Sequence, residues 1–407
     1  MRICFATSCY KLPDAPIGGL PIHYELLAKG LVKRDHKVTV LYCDRFGYTS
    51  SKEWQGNLSF IPVRFSTPNL FHKRFIGGII NKLGISEYIR FRMDSRHIIH
   101  NFDRLHARTP FDIVESPNNG ATLAAYHSRA RPPTCIRIAT TDKAHTTSNT
   151  KAISSYHRHL FKAEGASFRQ CPNLVTHTLS HRDLICKEYN LSPERFTLIP
   201  LSVPIPDKSK LLKTKHVRSI TVLFVGRFEL RKGIDVLLEA IPKAIKQCPN
   251  LKFRLVGPDP QNSYQKSFEK KHTASILKKI LFLGEKTGES LEDEYRNCDF
   301  FVAPSRYESF GLIFAEAMSF GKAVIGTRAG GIPEVVEDGA TGILCPPDSP
   351  SSLVDAIVQL ASSASKREEM GREGRKSVIN KFSLSNLIRQ TENYYRRLAS
   401  AAQPATQ

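Results

Sequence analysis

The sequence predicts an α/β protein made of two domains, each a parallel sheet flanked by helices. Short apolar runs recur along the 407 residues and alternate with helical stretches, which is the pattern of strand–helix–strand crossovers. The length exceeds what one hydrophobic core usually needs, so two domains are expected. A stretch rich in proline and lysine, residues 204–217, separates the two alternations.

In the first half, strands are expected at residues 2–7, 37–42, 58–63, 113–115, 134–139, 174–178 and 196–199. Between the first two lies a helix from about residue 21 to 33, with Ile22, Leu26, Leu27 and Leu31 on one side. A Gly18-Gly19 loop precedes it. Two glycines allow close backbone approach to a ligand; a flexible turn is the plainer reading. Residues 71–85 mix bulky apolar residues with Lys73, Arg74 and Lys82, and Arg90, Arg92, Arg96, Arg104 and Arg108 follow. An interfacial segment lying on anionic lipid has this make-up. So does a core-packing helix with a solvated basic face. Gly77-Gly78 weakens a regular helix and favours a loop or lid.

The second half opens with a strand at residues 220–225. Gly226-Arg227-Phe228-Glu229-Leu230-Arg231-Lys232-Gly233 follows, then a helix with Ile234, Leu237, Leu238, Ile241 and Ile245 on one face. Arg227 and Lys232 flank the loop as a forked and a compact cation. A departing nucleoside diphosphate needs such help, since negative charge develops on its oxygens. Residues 300–304 form the next buried strand. The loop after it carries Glu308, Gly311 opens a helical stretch, and Glu316 lies on that helix. Residues 322–327 are again a strand, and Gly330-Gly331-Ile332-Pro333-Glu334 starts another helix. Strand ends, glycine turns and helix N-termini thus converge as they do in anion-binding crevices. An amphipathic helix is expected at residues 383–398.

Composition narrows the class. A hydrophobic content of 41% suits a soluble globular protein. No apolar run reaches the roughly 18 residues of a membrane span. The chain enters a strand at once, so no signal peptide is expected. Nine cysteines without a Cys-x-x-Cys pair, among them Cys4, Cys43 and Cys135 in strands, read as reduced thiols of a cytoplasmic protein. The formal charge of +21 is spread along the chain with no nucleic-acid signature beside it. Nucleic acid is therefore not an expected partner, and anionic lipid and nucleotide sugars account for the charge. His177 and His181 have metal-ligand spacing but no evident third ligand. No metal and no cofactor are expected.

Several features together resemble the retaining glycosyltransferases of family four, the group 1 glycosyl transferases. They are Gly226-Arg227 with Lys232-Gly233, Glu308 and Glu316 with seven residues between them, and the flanking Pro304-Ser305 and Phe310-Gly311. Gly330-Gly331-Ile332-Pro333-Glu334 and Gly339-Ala340-Thr341-Gly342 are also similar. The close match covers residues 218–382; the first half matches in outline. The resemblance implies the GT-B fold, two Rossmann-like domains facing each other across a cleft. Residues 1–203 would bind the acceptor, 204–218 would link, and 219–382 would bind the nucleotide sugar. Residues 383–400 would form a helix packing back on the first domain, and 401–407 a tail.

The resemblance also implies roles. Arg227 and Lys232 would bind the donor diphosphate, and Glu316 the ribose hydroxyls. Glu308 would contact the transferred sugar near the reaction centre. Gly226 and the backbone amides of Phe310, Gly311 and Leu312 would hold sugar hydroxyls or phosphate oxygens. Gly18 and Gly19 would face the donor phosphates and the acceptor, and Thr140, Thr141 and Asp142 the cleft. The sequence departs from the pattern at Ala139, where many relatives have a histidine near the sugar, and at Ser202, where they have a glycine. The implied activity is retaining transfer from a nucleoside-diphosphate sugar to the hydroxyl of a glycan or lipid-linked acceptor, in cell-surface polysaccharide or glycolipid synthesis. The implied location is the cytoplasm or the inner face of the plasma membrane, with peripheral contact to anionic lipid. Two alternatives stay open. A GT-B isomerase or phosphorylase would need a base or a pyridoxal-phosphate lysine that the sequence does not place. Against a non-catalytic nucleotide-sugar or polyanion binder stand the intact Arg227, Lys232, Glu308 and Glu316.

Overall fold

The computed structural model describes residues 1–8, 10, 19–44, 53–64, 86–118, 132–150, 152–211 and 219–402. Gly18 and residues 71–85, the basic apolar segment, lie outside the described residues. The chain divides into two units. The first comprises Met1–His177, Arg182–Ile199 and Leu387–Gln407; the second comprises Thr178–His181 and Pro200–Asn386.

The strands of the first unit are β1 (Arg2–Thr7), β2 (Lys37–Asp44), β3 (Glu53–Gln55), β4 (Leu58–Arg64), β5 (Ile113–Pro117), β6 (Thr134–Arg137), β7 (Asn173–Thr176) and β8 (Phe196–Leu198). They form one sheet in the order β3-β4-β2-β1-β5-β6-β7-β8. Every pairing is parallel except β3 with β4. Crossover helices require parallel pairing. They are α1 (Gly19–Val32), α2 (Ser86–Arg108), α3 (Asp142–Asn149), α4 (Ser155–Gln170) and α5 (Leu179–Tyr189). Ile3, Phe5, Val40 and Ile113 are fully buried, as expected where helices cover a parallel sheet. The antiparallel β3 was not anticipated, because Glu-Trp-Gln carries no apolar alternation.

The second unit holds β9 (Ile220–Val225), β10 (Leu251–Val256), β11 (Ile280–Phe282), β12 (Phe300–Val302), β13 (Ala323–Thr327) and β14 (Gly342–Cys345). All pairings are parallel, in the order β11-β10-β9-β12-β13-β14. Its helices are α6 (Ile234–Gln247), α7 (Ser263–Glu269), α8 (Ala274–Leu277), α9 (Gly288–Asn297), α10 (Leu312–Ser319), α11 (Ile332–Val335), α12 (Pro350–Ser362) and α13 (Ala364–Lys381). One continuous core, including Val222, Phe224, Ile241, Phe301, Phe314, Val324 and Ile357, fills both faces of this sheet.

The last helix, α14 (Leu384–Ala402), belongs to the first unit from Leu387 onward. There it meets a buried ion pair. Arg137 on β6 and Glu115 on β5 are both 0% exposed and joined through two hydrogen bonds of 2.7 and 2.9 Å. From α14, Tyr395 Oη donates to Glu115 Oε2 at 2.7 Å, and Thr391 Oγ1 accepts from Arg137 Nη2 at 3.4 Å.

Candidate active site

In the second sheet the chain runs outward from β9 through β10 to β11, then returns to β12 on the other side of β9. The loops leaving β9 and β12 therefore emerge side by side at the carboxyl end of the sheet. Such a reversal of strand order opens a crevice that crossover helices cannot close.

The two loops are tied backbone to backbone. After β9 the chain passes Gly226 and makes a single 3₁₀ turn at Leu230–Lys232. Gly233 then takes a left-handed conformation with φ 67°, and a Cβ there would lie 1.9 Å from the Pro304 carbonyl oxygen. No other residue fits this approach. Arg306 N donates to Arg231 O at 2.8 Å from the opposite loop. Gly330, φ 52°, plays the same part under the second loop, where a Cβ would stand 2.3 Å from Glu308 O.

At the centre of this packing is Glu308, only 6% exposed. Its Oε1 accepts from Lys232 Nζ at 2.5 Å and Ser305 Oγ at 3.0 Å, and its Oε2 accepts from Arg231 Nη1 at 3.1 Å. Burial pushes the Glu308 carboxyl up, but the charges of Lys232 and Arg231 and the hydrogen bonds outweigh it. The group ends below the ordinary carboxylate range and is ionised at neutral pH. Burial also lowers the Lys232 ammonium, against the opposing pull of Glu308. Arg231 is itself pinned by Glu229, whose Oε1 accepts from its Nη2 at 2.8 Å, and by Tyr307 O at 3.1 Å.

The remaining expected residues lie as follows, those of the second unit first. Arg227 is 57% exposed and lies 3.6 Å from Glu229, so its guanidinium faces outward. Gly226 abuts the aliphatic stem of Lys232. Gly311 is the N-cap of α10, which places the amide of Leu312 at the helix start, while the Phe310 ring is buried edge-on against Phe382 at 5.1 Å. Glu316, on α10, accepts from Tyr295 Oη at 2.7 Å through Oε2. Burial raises its pKa, partly countered by that hydrogen bond and by the charge of Lys232. Glu334 accepts from Leu179 N at 2.7 Å and Ser180 N at 2.8 Å, which anchors Thr178–His181, the start of α5, within this unit. In the first unit, Gly19 opens α1. Thr140 follows β6. The Thr141 hydroxyl is fully buried and caps α3 by accepting from Ala144 N, so it is committed to the helix rather than directed outward. Asp142 is the first residue of α3.

A cavity of about 470 Å³ lies elsewhere, near the start of β9 and β10, lined by Thr221, Lys252, Arg254, Lys286 and Glu294. Arg254 and Lys286 are closed onto Glu294 there, and the loops of the switch point take no part in it.

Two family models match this chain. The one described as Glycosyltransferase Family 4 covers residues 17–205, and the one described as Glycosyl transferases group 1 covers residues 209–377. The chain belongs to this glycosyltransferase family. It is similar to an uncharacterized glycosyltransferase of Methanocaldococcus jannaschii, 27% identical over 97% of this chain and 98% of the relative. Among solved structures, the sucrose-phosphate synthase of Thermosynechococcus elongatus superimposes with a TM-score of 0.77 at 20% identity, over 98% of this chain and 100% of that one. Anabaena HepE does so with 0.67 at 16% identity, over 97% and 99%. The fold of the glycosyltransferase is GT-B.

Arg231, which the sequence reading did not single out, is also held in this cluster. The sequence reading assigns the loop's two cations to Arg227 and Lys232 and gives Arg231 no role. The overlooked signal was charge balance: Glu229 and Glu308 both need a cation, and Arg227 points outward.

Proposed function

We propose that this glycosyltransferase takes a sugar from a nucleoside-diphosphate donor and passes it, with retention of configuration, to an acceptor hydroxyl in polysaccharide or glycolipid synthesis. The observation that carries this reading is the ionised, buried Glu308 clamped by Lys232 and Arg231 at the switch point of the second sheet. The donor diphosphate meets the outward Arg227, the Lys232 ammonium and the N-terminal amides of α10. As the bond from the anomeric carbon to the diphosphate oxygen breaks, these groups stabilise the charge that develops on the leaving oxygen. The acceptor, bound by the first unit, attacks from the same face, and its hydroxyl proton passes to the leaving diphosphate.

Glu308 fits poorly as a base or nucleophile, because both its oxygens already accept hydrogen bonds and its pKa is low. It suits the part of a fixed anion beside the transferred sugar. Glu316 Oε1 has no hydrogen-bond partner among the described residues and suits the ribose hydroxyls. HepE was solved with UDP and glucose, so uridine diphosphate sugars head the donor screen.

The test is release of nucleoside diphosphate from a panel of sugar nucleotides, with and without a chelator. Turnover of at least one donor, unchanged by the chelator, is expected, since Arg227 and Lys232 meet the phosphate charge. No release from any donor by the folded protein refutes the reading. Loss restored only by added metal refutes the role given to the two cations.

A further inference from the structure

The first sheet reverses its strand order between β1 and β5, so its own crevice opens beside the loop leaving β5. Asn118 stands at that point, directly after β5, and is 4% exposed. Its amide is fully engaged. Oδ1 accepts from Ala139 N at 3.1 Å, and Nδ2 donates to Thr140 O at 3.2 Å and Glu164 Oε1 at 3.0 Å. Glu164, on α4 and also 4% exposed, accepts a second N–H at the same oxygen, from Asp142 at 3.1 Å. Tyr189 Oη on α5 donates to its other oxygen. Two buried side chains, 46 positions apart in sequence, thus fix three consecutive turning points of the loop after β6: the 139 amide, the 140 carbonyl and the 142 amide.

We propose that Glu164 and Asn118 are positioning residues that set the shape of residues 139–142 as a wall of the acceptor site, and that ionisation of Glu164 loosens this wall. The first part rests on the reading that the first unit binds the acceptor. The location supports it: the loop leaves the carboxyl end of β6, next to the switch-point strand β5, where ligands of parallel sheets bind. A clamp of buried, mutually satisfied polar groups is a costly way to hold an ordinary surface turn.

Burial and the neighbouring Asp142 carboxylate push the Glu164 carboxyl up to about 7, against the hydrogen bonds from Tyr189, Asn118 and Asp142 N. The Asp142 carboxyl is itself raised by burial. Lys143 on α3 lies 5.7 Å above the Tyr189 ring, Glu188 stands beside it on α5, and the Arg169 guanidinium is on the next turn of α4. Opening the loop takes Asp142 away and admits water, so the open form has the lower pKa. By linkage, raising the pH through about 7 drives protons off and favours the open form.

Hydrogen–deuterium exchange of peptides spanning residues 139–142, corrected for intrinsic base catalysis, tests this on the full chain. In the wild type, exchange is expected to quicken as pH rises from about 6 to 8. Glu164→Gln keeps an acceptor for both N–H groups and should stay protected with no pH step. Glu164→Leu and Asn118→Ala should exchange about tenfold faster at every pH, the factor that one or two lost hydrogen bonds produce. Wild-type exchange in Asn118→Ala, or a pH step that persists in Glu164→Gln, overturns the clamp. With a donor that the wild type turns over, Asn118→Ala should raise the acceptor KM and leave the donor KM unchanged; an unchanged acceptor KM overturns the acceptor-wall role. If the wild type turns over no donor, the proposed function fails while the exchange data still decide the clamp.

Discussion

Glu308 is pulled two ways, by burial that raises its pKa and by two cations that lower it, and the cations win. Although Glu308 lies on a loop, the side chain is enclosed, and its removal strands Lys232 and Arg231 below the surface. Glu308→Ala should therefore lower stability by on the order of 3 kcal/mol. Glu308→Gln, which keeps the shape, should cost less stability while still reducing turnover by about a hundredfold or more. The sign of the pH dependence follows from the depressed pKa. The stability supplied by ionised Glu308 is present above the unfolded carboxyl range and is lost as pH falls through the lower folded value. Thermal unfolding of wild type and Glu308→Gln at pH 7 and pH 4 checks it: the gap in midpoint should shrink at the lower pH, and a constant gap refutes it. That Glu308, Lys232 and Glu316 would come near one another was legible, because loop glycines and charge spacing mark them. Arg231 was not, because which of three neighbouring cations turns inward depends on carboxylates that only the folded chain brings near.

At the scale of elements, the strands expected from the sequence were readable to within about two residues, while β10, β11 and β14 were not expected. β1 spans Arg2–Thr7 as expected, and β9 spans Ile220–Val225. Most of the boundary differences fall at carboxyl ends. β6 stops at Arg137 and β12 at Val302, where the chain leaves the sheet for the loops that follow. Helix α14 was legible from its amphipathic pattern, but the pattern says nothing of Thr391 and Tyr395 on its inward side. They are there because β5 and β6 bury an ion pair whose spare lone pairs and protons need partners. Tyr395→Phe should thus cost about 1–2 kcal/mol, the usual consequence of leaving a buried carboxylate one donor short. Arg137→Met should cost roughly 3–5 kcal/mol, because it leaves Glu115 an uncompensated buried charge. Denaturant unfolding measures both. Equal losses would mean that the helix contact, not the ion pair, dominates.

For the whole molecule, the sequence showed two α/β halves but not that Thr178–His181 belongs with the second. Those residues continue directly from β7, and their anchors, Ser309 and Glu334, lie 131 and 155 positions away, beyond any local pattern. No described helix is long and apolar enough to cross a membrane. For a lipid-linked acceptor the proposed membrane contact is peripheral, and the net charge of +21 has the sign that anionic lipid attracts. Each cation near an anionic leaflet contributes about 1 kcal/mol, and the term is screened within a Debye length. The protein is therefore expected to sediment with vesicles rich in anionic lipid and not with neutral ones, and to be released as salt is raised. Replacing Lys73, Arg74 and Lys82 together should weaken sedimentation, because these cations are interleaved with Phe71, Phe75, Ile76, Ile79 and Ile80, whose insertion would hold the charges at the surface. Equal, negligible sedimentation with both vesicle types would exclude peripheral binding and point to a soluble acceptor. Binding to anionic vesicles that survives the triple replacement would move the contact to another basic surface of the chain.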